Sequence, residues 1–281
     1  MMESYIKENY IKDKVIIITG AATGFGKLVA ERTAAMGGKI VCCDRKEEEL
    51  KKTVEGIRDL GGEIEYRIAD MTKKDEVDAV AKLAVEKYGR IDILLNNAGT
   101  MPLSFFSDHK RAWKAWDDCI DTNIKGVVYG ISAVYDQMIK QEKGHIINIS
   151  SIYSNHPVIG GGVYQASKVA VKYISDTLRQ EAYGKIKVTC VKPTGVPTTP
   201  LFDCIINQDT AIGLVGQNAL AMMGLLQEMP GRPDLTEQDS IRNVYIDPSV
   251  LADNVVYVMN QPWGINISDI TVRSAGEPYI M

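Results

Sequence analysis

Short apolar runs alternate with amphipathic segments along most of the chain. The first run, Lys14–Thr19, leads through a glycine-rich turn into an amphipathic segment that ends near Met36. Apolar runs of about four to eight residues are typical of buried parallel strands, whereas apolar positions three or four apart are typical of helices. Further strands are predicted at 39–43, 64–68, 91–95, 145–149, 187–191 and 269–273, and further helices at 47–60, 74–88, 113–138, 164–183 and 248–260.

The alternation of strands and helices indicates the fold class. Parallel neighbours in a sheet need a crossover connection, and repeated strand–helix units place helices on both faces of the sheet. We therefore predict an α/β, Rossmann-like fold, with a doubly wound parallel sheet in three layers, α/β/α. The last helix and strand return to the same sheet, so we expect residues 1–281 to form a single domain.

The alternation is interrupted between Pro193 and Asp247. Within this segment, residues 219–229 are apolar and rich in methionine, a flexible side chain that fits irregular apolar surfaces. We interpret residues 199–247 as an insert that forms a lid over a ligand site. An ordinary buried helix at 219–229 is the alternative.

Composition and charge narrow the possible partners. The chain has 281 residues, of which 45% are hydrophobic, and a formal net charge of −4. A chain of this size can bury a large core, and its net negative charge does not suggest a basic surface for nucleic acid. No apolar stretch is long enough for a membrane span, and residues 1–13 mix charged and apolar positions. We expect a cytoplasmic protein with no nucleic-acid or membrane partner.

The cysteines and histidines give no sign of a metal site or a disulfide framework. The five cysteines include no Cys-x-x-Cys pair, and the three histidines lack the spacing of metal ligands. We expect no bound metal, and we interpret the cysteines as buried packing residues.

Three glycines, Gly20, Gly24 and Gly26, lie where the first strand turns into a helix. Glycines at such a turn let the backbone approach a pyrophosphate, and the helix N-terminus offers free N–H groups. Their spacing differs from the general Gly-x-Gly-x-x-Gly fingerprint of dinucleotide sites. Asp44 ends the next strand, where a carboxylate accepts hydrogen bonds from a ribose and repels a 2′-phosphate. We predict a site for NAD rather than NADP, although Arg45 offers a partner for the additional phosphate.

A second group of residues indicates acid–base chemistry. Tyr164 and Lys168 are four positions apart on a predicted helix, so they share one face. Because a nearby cation favours phenolate, we expect Lys168 to lower the pKa of Tyr164. Ser151 follows the strand at 145–149 and precedes Tyr164 by thirteen residues. The combination predicts a nucleotide-dependent redox site.

Together these motifs resemble the short-chain dehydrogenase/reductase family of the conventional single-domain type, over about residues 14–270. Thr19-Gly-Ala-Ala-Thr-Gly-Phe-Gly26 is similar to the cofactor turn of that family, and Asn96-Asn97-Ala98-Gly99 to its sheet segment. The resemblance implies the catalytic residues Asn123, Ser151, Tyr164 and Lys168. It also implies the cofactor-binding residues Gly20, Thr23, Gly24, Phe25, Gly26, Asp44, Arg45, Asp70, Met71, Asn97, Ala98, Gly99, Tyr164, Lys168, Val196 and Thr198.

By this resemblance we expect an oxidoreductase that moves a hydride between NAD and a small-molecule secondary alcohol or ketone. Tyr164 is then the general acid/base, Ser151 orients the substrate, and Lys168 tunes Tyr164 and binds the nicotinamide ribose. Asn123 holds a water next to Lys168. Members of the family are commonly homodimers or homotetramers, and we expect one of these. One departure is Pro193-Thr194, where the family has Pro-Gly, and another is a tail without the common terminal Gly-Gly.

Residues 1–281 are thus expected to form one dinucleotide-binding catalytic domain with a substrate-lid insert at 199–247. The substrate stays open. A hydroxysteroid or another bulky apolar alcohol suits an apolar wall of the insert, assigned to Met222, Met223, Leu225 and Leu226. A 3-oxoacyl thioester reductase and a dehydrogenase of small polyols or sugars are alternatives. A non-catalytic NAD(H)-binding sensor is a further alternative, which the complete set of four catalytic residues disfavours.

Overall fold

The computed structural model describes residues 8–196, 199–210, 213 and 218–277. Its strands are β1 Val15–Thr19, β2 Lys39–Asp44, β3 Glu63–Ile68, β4 Ile93–Asn96, β5 Gly144–Ile149, β6 Ile186–Pro193 and β7 Asp269–Val272. Within the described residues they form one 7-stranded sheet in the order β3-β2-β1-β4-β5-β6-β7. Every neighbouring pair is parallel. The predicted Rossmann-like, doubly wound parallel sheet is confirmed.

Helices connect the strands and cover both faces of the sheet. They are α1 Gly24–Ala35, α2 Glu47–Asp59, α3 Lys74–Tyr88, α4 His109–Ile120, α5 Gly126–Lys140, α6 Gly162–Glu181, α7 Ala219–Glu228 and α8 Pro248–Met259. Side chains of β1 alternate between two cores, because successive residues of a strand point to opposite faces. Ile16 and Ile18 pack in one core with Leu251 of α8, whereas Val15 and Ile17 pack in the other.

Local signals explain where several helices begin and end. Asp247 caps α8 by accepting a hydrogen bond from the Ser249 N–H at 2.7 Å, and Pro248 takes the first helical position. Helix α3 ends at Gly89, whose φ of 73° places it in the left-handed conformation that favours glycine. Asp247 and Gly89 thus mark the start of α8 and the end of α3.

The helix predicted at residues 113–138 is not continuous. The structure begins α4 earlier, at His109, and separates it from α5 by a turn of π-helix at Asp121–Lys125. A π-helical turn contains one extra residue, which a 3.6-residue pattern of apolar positions cannot reveal. Asn123 lies within this turn.

The described parts of the insert return to the end of β6. They include α7 and short 3₁₀ turns at Pro200–Cys204, Met229–Gly231 and Pro233–Leu235. The Ile246 N–H donates a hydrogen bond to the Gly195 carbonyl at 3.1 Å, which ties the last part of the insert to the strand end. Among the helices of the described ranges, none is long and apolar enough to cross a membrane.

Candidate active site

A cleft opens at the carboxyl ends of the central strands and contains about 240 Å³ of space. Strand β1 lies there between β2 and β4, a topological switch point at which open α/β sheets bind ligands. The cleft wall includes Gly20, Thr23, Gly24, Phe25, Gly26, Asp44, Arg45, Asp70, Met71, Asn97, Ala98, Gly99, Ser151, Tyr164, Lys168 and Val196. The structure therefore brings nearly all of the residues implied by the resemblance to one cleft. Thr198 lies outside the described residues.

The turn after β1 leaves no room for a side chain at two of its glycines. Gly20 has a φ of +65°, and a Cβ built there would lie 2.8 Å from the Cα of Ala98. A Cβ at Gly26 would lie 2.5 Å from the carbonyl oxygen of Gly20 and would also collide with the Asn97 side chain. Because the backbone is bare here and α1 begins beside it, the turn fits the pyrophosphate of a dinucleotide.

Thr19 and Asn97 join this turn to the end of β4. The Asn97 Nδ2 donates hydrogen bonds to the carbonyls of Thr19 and Gly20, both at 2.9 Å. In the opposite direction, the N–H groups of Asn97 and Ala98 donate to the Thr19 Oγ1 at 3.0 and 3.1 Å. The shape of the turn is therefore fixed from the neighbouring strand.

Asp44 has the position expected of a ribose-binding carboxylate, at the end of β2. Its Oδ2 accepts a hydrogen bond from the Ala22 N–H at 3.1 Å, and its Oδ1 accepts one from the Lys46 N–H at 3.0 Å. Arg45 and Lys46 also line the cleft. This end of the cleft thus presents one carboxylate and two cations to a ligand.

The hydroxyl groups of Tyr164 and Ser151 lie within hydrogen-bonding reach of each other. Ser151 lies between β5 and a short 3₁₀ turn at Ile152–Ser154, and its Oγ accepts a hydrogen bond from the Tyr153 N–H at 3.3 Å. Tyr164 lies in an apolar cluster with Met101 and Ile152. Burial raises the pKa of Tyr164 above its usual value, and the hydrogen bond from Ser151 acts in the opposite direction.

The expectation that Lys168 lowers the pKa of Tyr164 is therefore wrong for this structure. The Nζ of Lys168 lies 5.8 Å from the centroid of the Tyr164 ring and donates a hydrogen bond to the Ile149 carbonyl at 2.9 Å. Burial lowers the pKa of Lys168 itself to about 8. Loss of water around each of these groups favours its neutral form.

Asn123 lies behind the cleft wall, next to Lys168. The π-helical turn directs its amide to Thr100, whose N–H donates to Oδ1 and whose carbonyl accepts from Nδ2, both at 2.9 Å. Nδ2 also donates to the Ser167 Oγ at 2.9 Å. A Cβ at Gly99 would lie 3.1 Å from the Asn123 Oδ1 and 3.6 Å from the Lys168 Nζ, so both groups lie close to this glycine.

Several cleft residues were not found by sequence reasoning. Lys46 and Thr100 line the cleft, but each lies one or two positions from a motif and carries no pattern of its own; Thr194 also lines it, where the sequence departs from the family pattern. The insert contributes Leu201 and Phe202 to the apolar wall. The methionine-rich stretch does not, since Met222, Met223 and Leu225 are absent from the described wall; the Leu226 side chain lies outside the described part.

The family model for the short chain dehydrogenases matches residues 14–208. The chain belongs to the short-chain dehydrogenase family. Among its relatives, the uncharacterized oxidoreductase Lmo0432 of Listeria monocytogenes is 34% identical over 270 residues, which cover 96% of this chain and 99% of the relative. The uncharacterized oxidoreductase SSP1627 of Staphylococcus saprophyticus is 33% identical over 272 residues, which cover 96% and 99% of the two chains.

Solved structures of the family have the same fold. A metagenomic short-chain oxidoreductase in complex with NADP is 26% identical, with a TM-score of 0.69, over 94% of this chain and 97% of that one. The closed form of a serine dehydrogenase complexed with NADP+ is 27% identical, with a TM-score of 0.74, over 92% and 94% of the two chains. This short-chain dehydrogenase is therefore an oxidoreductase that uses a nicotinamide cofactor.

Proposed function

We propose that this short-chain dehydrogenase transfers a hydride between NAD and an uncharged, apolar secondary alcohol or ketone. The observation that carries the proposal is the pair of Ser151 and Tyr164 hydroxyls, which face each other beside Lys168 in a cleft that continues to the glycine turn after β1. The nicotinamide supplies the hydride acceptor or donor when it is bound. The protein supplies the position of the substrate and the path of its proton.

Tyr164 is the general acid/base in this proposal. In the oxidative direction its phenolate removes the proton of the alcohol, and in the reductive direction its phenol donates a proton to the forming alkoxide. Ser151, whose hydroxyl faces that of Tyr164, holds the substrate oxygen next to the phenol. General acid–base groups contribute about 10²- to 10⁴-fold to the rate of such reactions.

Lys168 and Asn123 complete the proposed catalytic set. The pKa of Lys168 is lowered to about 8 by burial, so this amine can exchange a proton near neutral pH. The Asn123 side chain is held by hydrogen bonds to the N–H and the carbonyl of Thr100, close to Lys168. This position suits a role in holding a water that connects the amine to solvent. The residues proposed to hold the nicotinamide dinucleotide are those of the glycine turn and of the strand ends that line the cleft.

The preference for NAD rests on Asp44. A carboxylate at the end of β2 accepts hydrogen bonds from ribose hydroxyls and repels a 2′-phosphate. The NADP in the related solved structures points the other way, as do Arg45 and Lys46 on the same part of the cleft wall. Steady-state rates with NADH and NADPH decide between them, and Arg45→Ala is expected to weaken NADPH binding while it leaves NADH binding unchanged. A preference for NADPH would overturn this part of the proposal.

The substrate class follows from the distribution of charge in the cleft. Within the described part of the chain, the charged wall residues other than Lys168 are Asp44, Arg45, Lys46 and Asp70, which lie at the ends of β2 and β3. The apolar cluster that contains Tyr164 includes the wall residues Met101, Tyr153, Leu201 and Phe202. An apolar ketone such as a steroid gains from contact with this surface, which offers no basic partner to a carrier-bound thioester.

We further propose that residues 1–281 act as one catalytic domain, with residues 199–247 as a lid, and that the protein is a homodimer or homotetramer. Trp113 on α4, Val128 on α5 and Tyr173 on α6 are large apolar side chains that remain exposed in the single chain. Exposed apolar side chains on neighbouring helices suit an interface between subunits. Light scattering of the purified protein tests the assembly, and a monomer would contradict it.

Tyr164→Phe tests the proposed function directly. This variant keeps the ring but removes the hydroxyl, so turnover of a ketone panel is expected to fall by about 10²- to 10⁴-fold. Binding of NADH, followed by its fluorescence, is expected to stay unchanged. Near-normal turnover in this variant would overturn the assignment of Tyr164, and NADH binding without turnover of any substrate by the wild type would favour a sensor.

A further inference from the structure

The residues that follow β7 fold back onto the end of β6 and bury a carboxyl group there. The Oε2 of Glu277 accepts a hydrogen bond from the Thr194 Oγ1 at 2.6 Å, across 83 positions of sequence. The Nε of Arg273 lies 3.1 Å from the Oε1, and the Glu277 side chain is 0% exposed. A residue close to the end of the described chain is thus joined to a residue of the cleft wall.

Thr194 belongs to a short wall segment, Pro193–Val196, in which all four residues line the cleft. Its backbone N–H donates to the Val272 carbonyl at 3.1 Å, and the Gly195 carbonyl accepts from the Ile246 N–H at 3.1 Å. These backbone bonds attach the segment to β7 and to the insert. The side-chain contact between this segment and the tail is the hydrogen bond of the Thr194 hydroxyl to Glu277, and the Gly195 N–H also faces this carboxylate.

Burial of a carboxyl group is unfavourable unless its partners compensate for the lost water. Burial raises the pKa of Glu277 to about 7, although the hydrogen bond from Thr194 and the charge of Arg273 lower it. Among the described residues, Arg273 is the charged group that faces this carboxyl. Arg242 lies in the loop packed against the tail, but its guanidinium is directed to Asp234 at 3.6 Å. The chain therefore keeps the carboxyl group of Glu277 buried at the point where the tail contacts the cleft wall.

We propose that Glu277 is a positioning residue, which fixes the Thr194 hydroxyl and thereby sets the position of the Pro193–Val196 segment for the nicotinamide cofactor. The proposal rests on the proposed function in one respect, since it requires that this cleft binds the cofactor. It also gives a role to the threonine that stands where the sequence pattern of the family has glycine. Glycine has no side chain with which to receive a contact from the tail.

Paired substitutions separate this role from general stability. Thr194→Val removes the hydroxyl at nearly constant volume, and Glu277→Ala removes the carboxyl. Each variant is expected to weaken NADH binding by about tenfold, because a buried hydrogen bond to a charged group is lost. Turnover at saturating NADH is expected to be retained, since the effect is on binding. Thr194→Ser and Glu277→Gln keep a hydroxyl or an amide for the contact, and both are expected to restore binding close to that of the wild type.

The double variant Thr194→Val, Glu277→Ala tests whether the two residues act through one contact. If they do, the double variant binds NADH no more weakly than either single variant. Glu237→Gln, which neutralises an exposed carboxylate of the insert, is the matched control and is expected to bind as the wild type does. Thermal unfolding of each variant shows whether the chain is folded at the temperature of the assay.

The outcomes distinguish this inference from the proposed function. If the wild type binds NADH or NADPH but Thr194→Val binds it equally well, the positioning role is wrong and the cofactor site stands. Additive losses in the double variant, or no recovery in Thr194→Ser, would also overturn it. If the wild type binds neither NADH nor NADPH, the cofactor site is wrong and the positioning role is wrong with it.

Discussion

The turn after β1 and the segment after β6 are both walls of the cleft, but they are fixed in different ways. The turn takes its shape from missing side chains, because a Cβ at Gly20 or Gly26 would collide with neighbouring backbone. The segment after β6 takes its position from a side chain, Thr194, which contacts the tail at Glu277. One wall depends on a local motif, and the other depends on residues far apart in the sequence.

This difference has consequences for how each wall responds to change. A side chain added at the glycine turn displaces the backbone itself, because closely packed backbone atoms cannot move independently. Removal of the contact between Thr194 and Glu277 leaves the backbone bonds of the segment in place. We therefore expect large effects at the first wall and graded, pH-dependent effects at the second.

Gly26→Ala is expected to have the largest effect. Its Cβ would lie 2.5 Å from the Gly20 carbonyl oxygen, so the turn must open. We expect NADH binding to weaken by about 100-fold and the free energy of unfolding to fall by about 1–3 kcal/mol. Gly56→Ala in α2 is the control, because a Cβ there meets nothing within 4 Å. If Gly26→Ala binds NADH as tightly as Gly56→Ala, the turn is not fixed by the absence of side chains.

Glu277→Gln is expected to change how stability depends on pH. Burial raises the pKa of Glu277 from 4.5 to about 7, so the folded protein holds this proton more tightly than the unfolded chain. The resulting stabilisation is complete below a pH of about 4.5 and is lost as the pH rises through about 7. The total is about 3 kcal/mol.

Urea unfolding of the wild type and of Glu277→Gln at several pH values measures this effect. Glutamine does not titrate, and Arg273, the charged partner, stays protonated throughout the range. The advantage of Glu277→Gln over the wild type should therefore grow as the pH rises from about 5 to about 8. A difference that stays constant across this range would show that Glu277 does not titrate near neutral pH.

Thr19→Val is expected to have the smallest effect of the three. Its hydroxyl oxygen accepts hydrogen bonds from the N–H groups of Asn97 and Ala98, which valine would leave without a partner. We expect a loss of about 1–2 kcal/mol in the free energy of unfolding. Thr33→Val is a matched control, because the buried Thr33 hydroxyl donates only to carbonyls of its own helix. Equal losses in both variants would mean that the hydroxyl of Thr19 does not fix the turn.

The strands and the cofactor wall could be predicted because their signals are local. Apolar runs marked every strand to within two residues at each end, and glycines and Asp44 marked the turn and the end of β2. The same reasoning missed the π-helical turn that carries Asn123, since one inserted residue barely changes the apolar pattern of a long helix.

Two further features of the site depend on the folded environment. Sequence suggested a lowered pKa for Tyr164 from the neighbouring Lys168, but burial of Tyr164 raises it instead. The contact between Thr194 and Glu277 joins residues that share no motif, so it appears only when β6 and β7 are placed side by side. Neither the solvent exposure of a side chain nor its contacts with residues far away in the sequence can be inferred from the spacing of motifs along the chain.

The most direct test of the account is the transfer of deuterium from NADH labelled at C4 of the nicotinamide to a ketone. The wild type is incubated with stereospecifically labelled NADH and a panel of steroid, short-chain, sugar and acetoacetyl thioester ketones, and the products are analysed by mass spectrometry. The account predicts deuterium at the carbinol carbon of an apolar product, and about 10²- to 10⁴-fold slower labelling with Tyr164→Phe. Wild-type protein that binds NADH but labels no ketone, or Tyr164→Phe that labels as fast as the wild type, would contradict it.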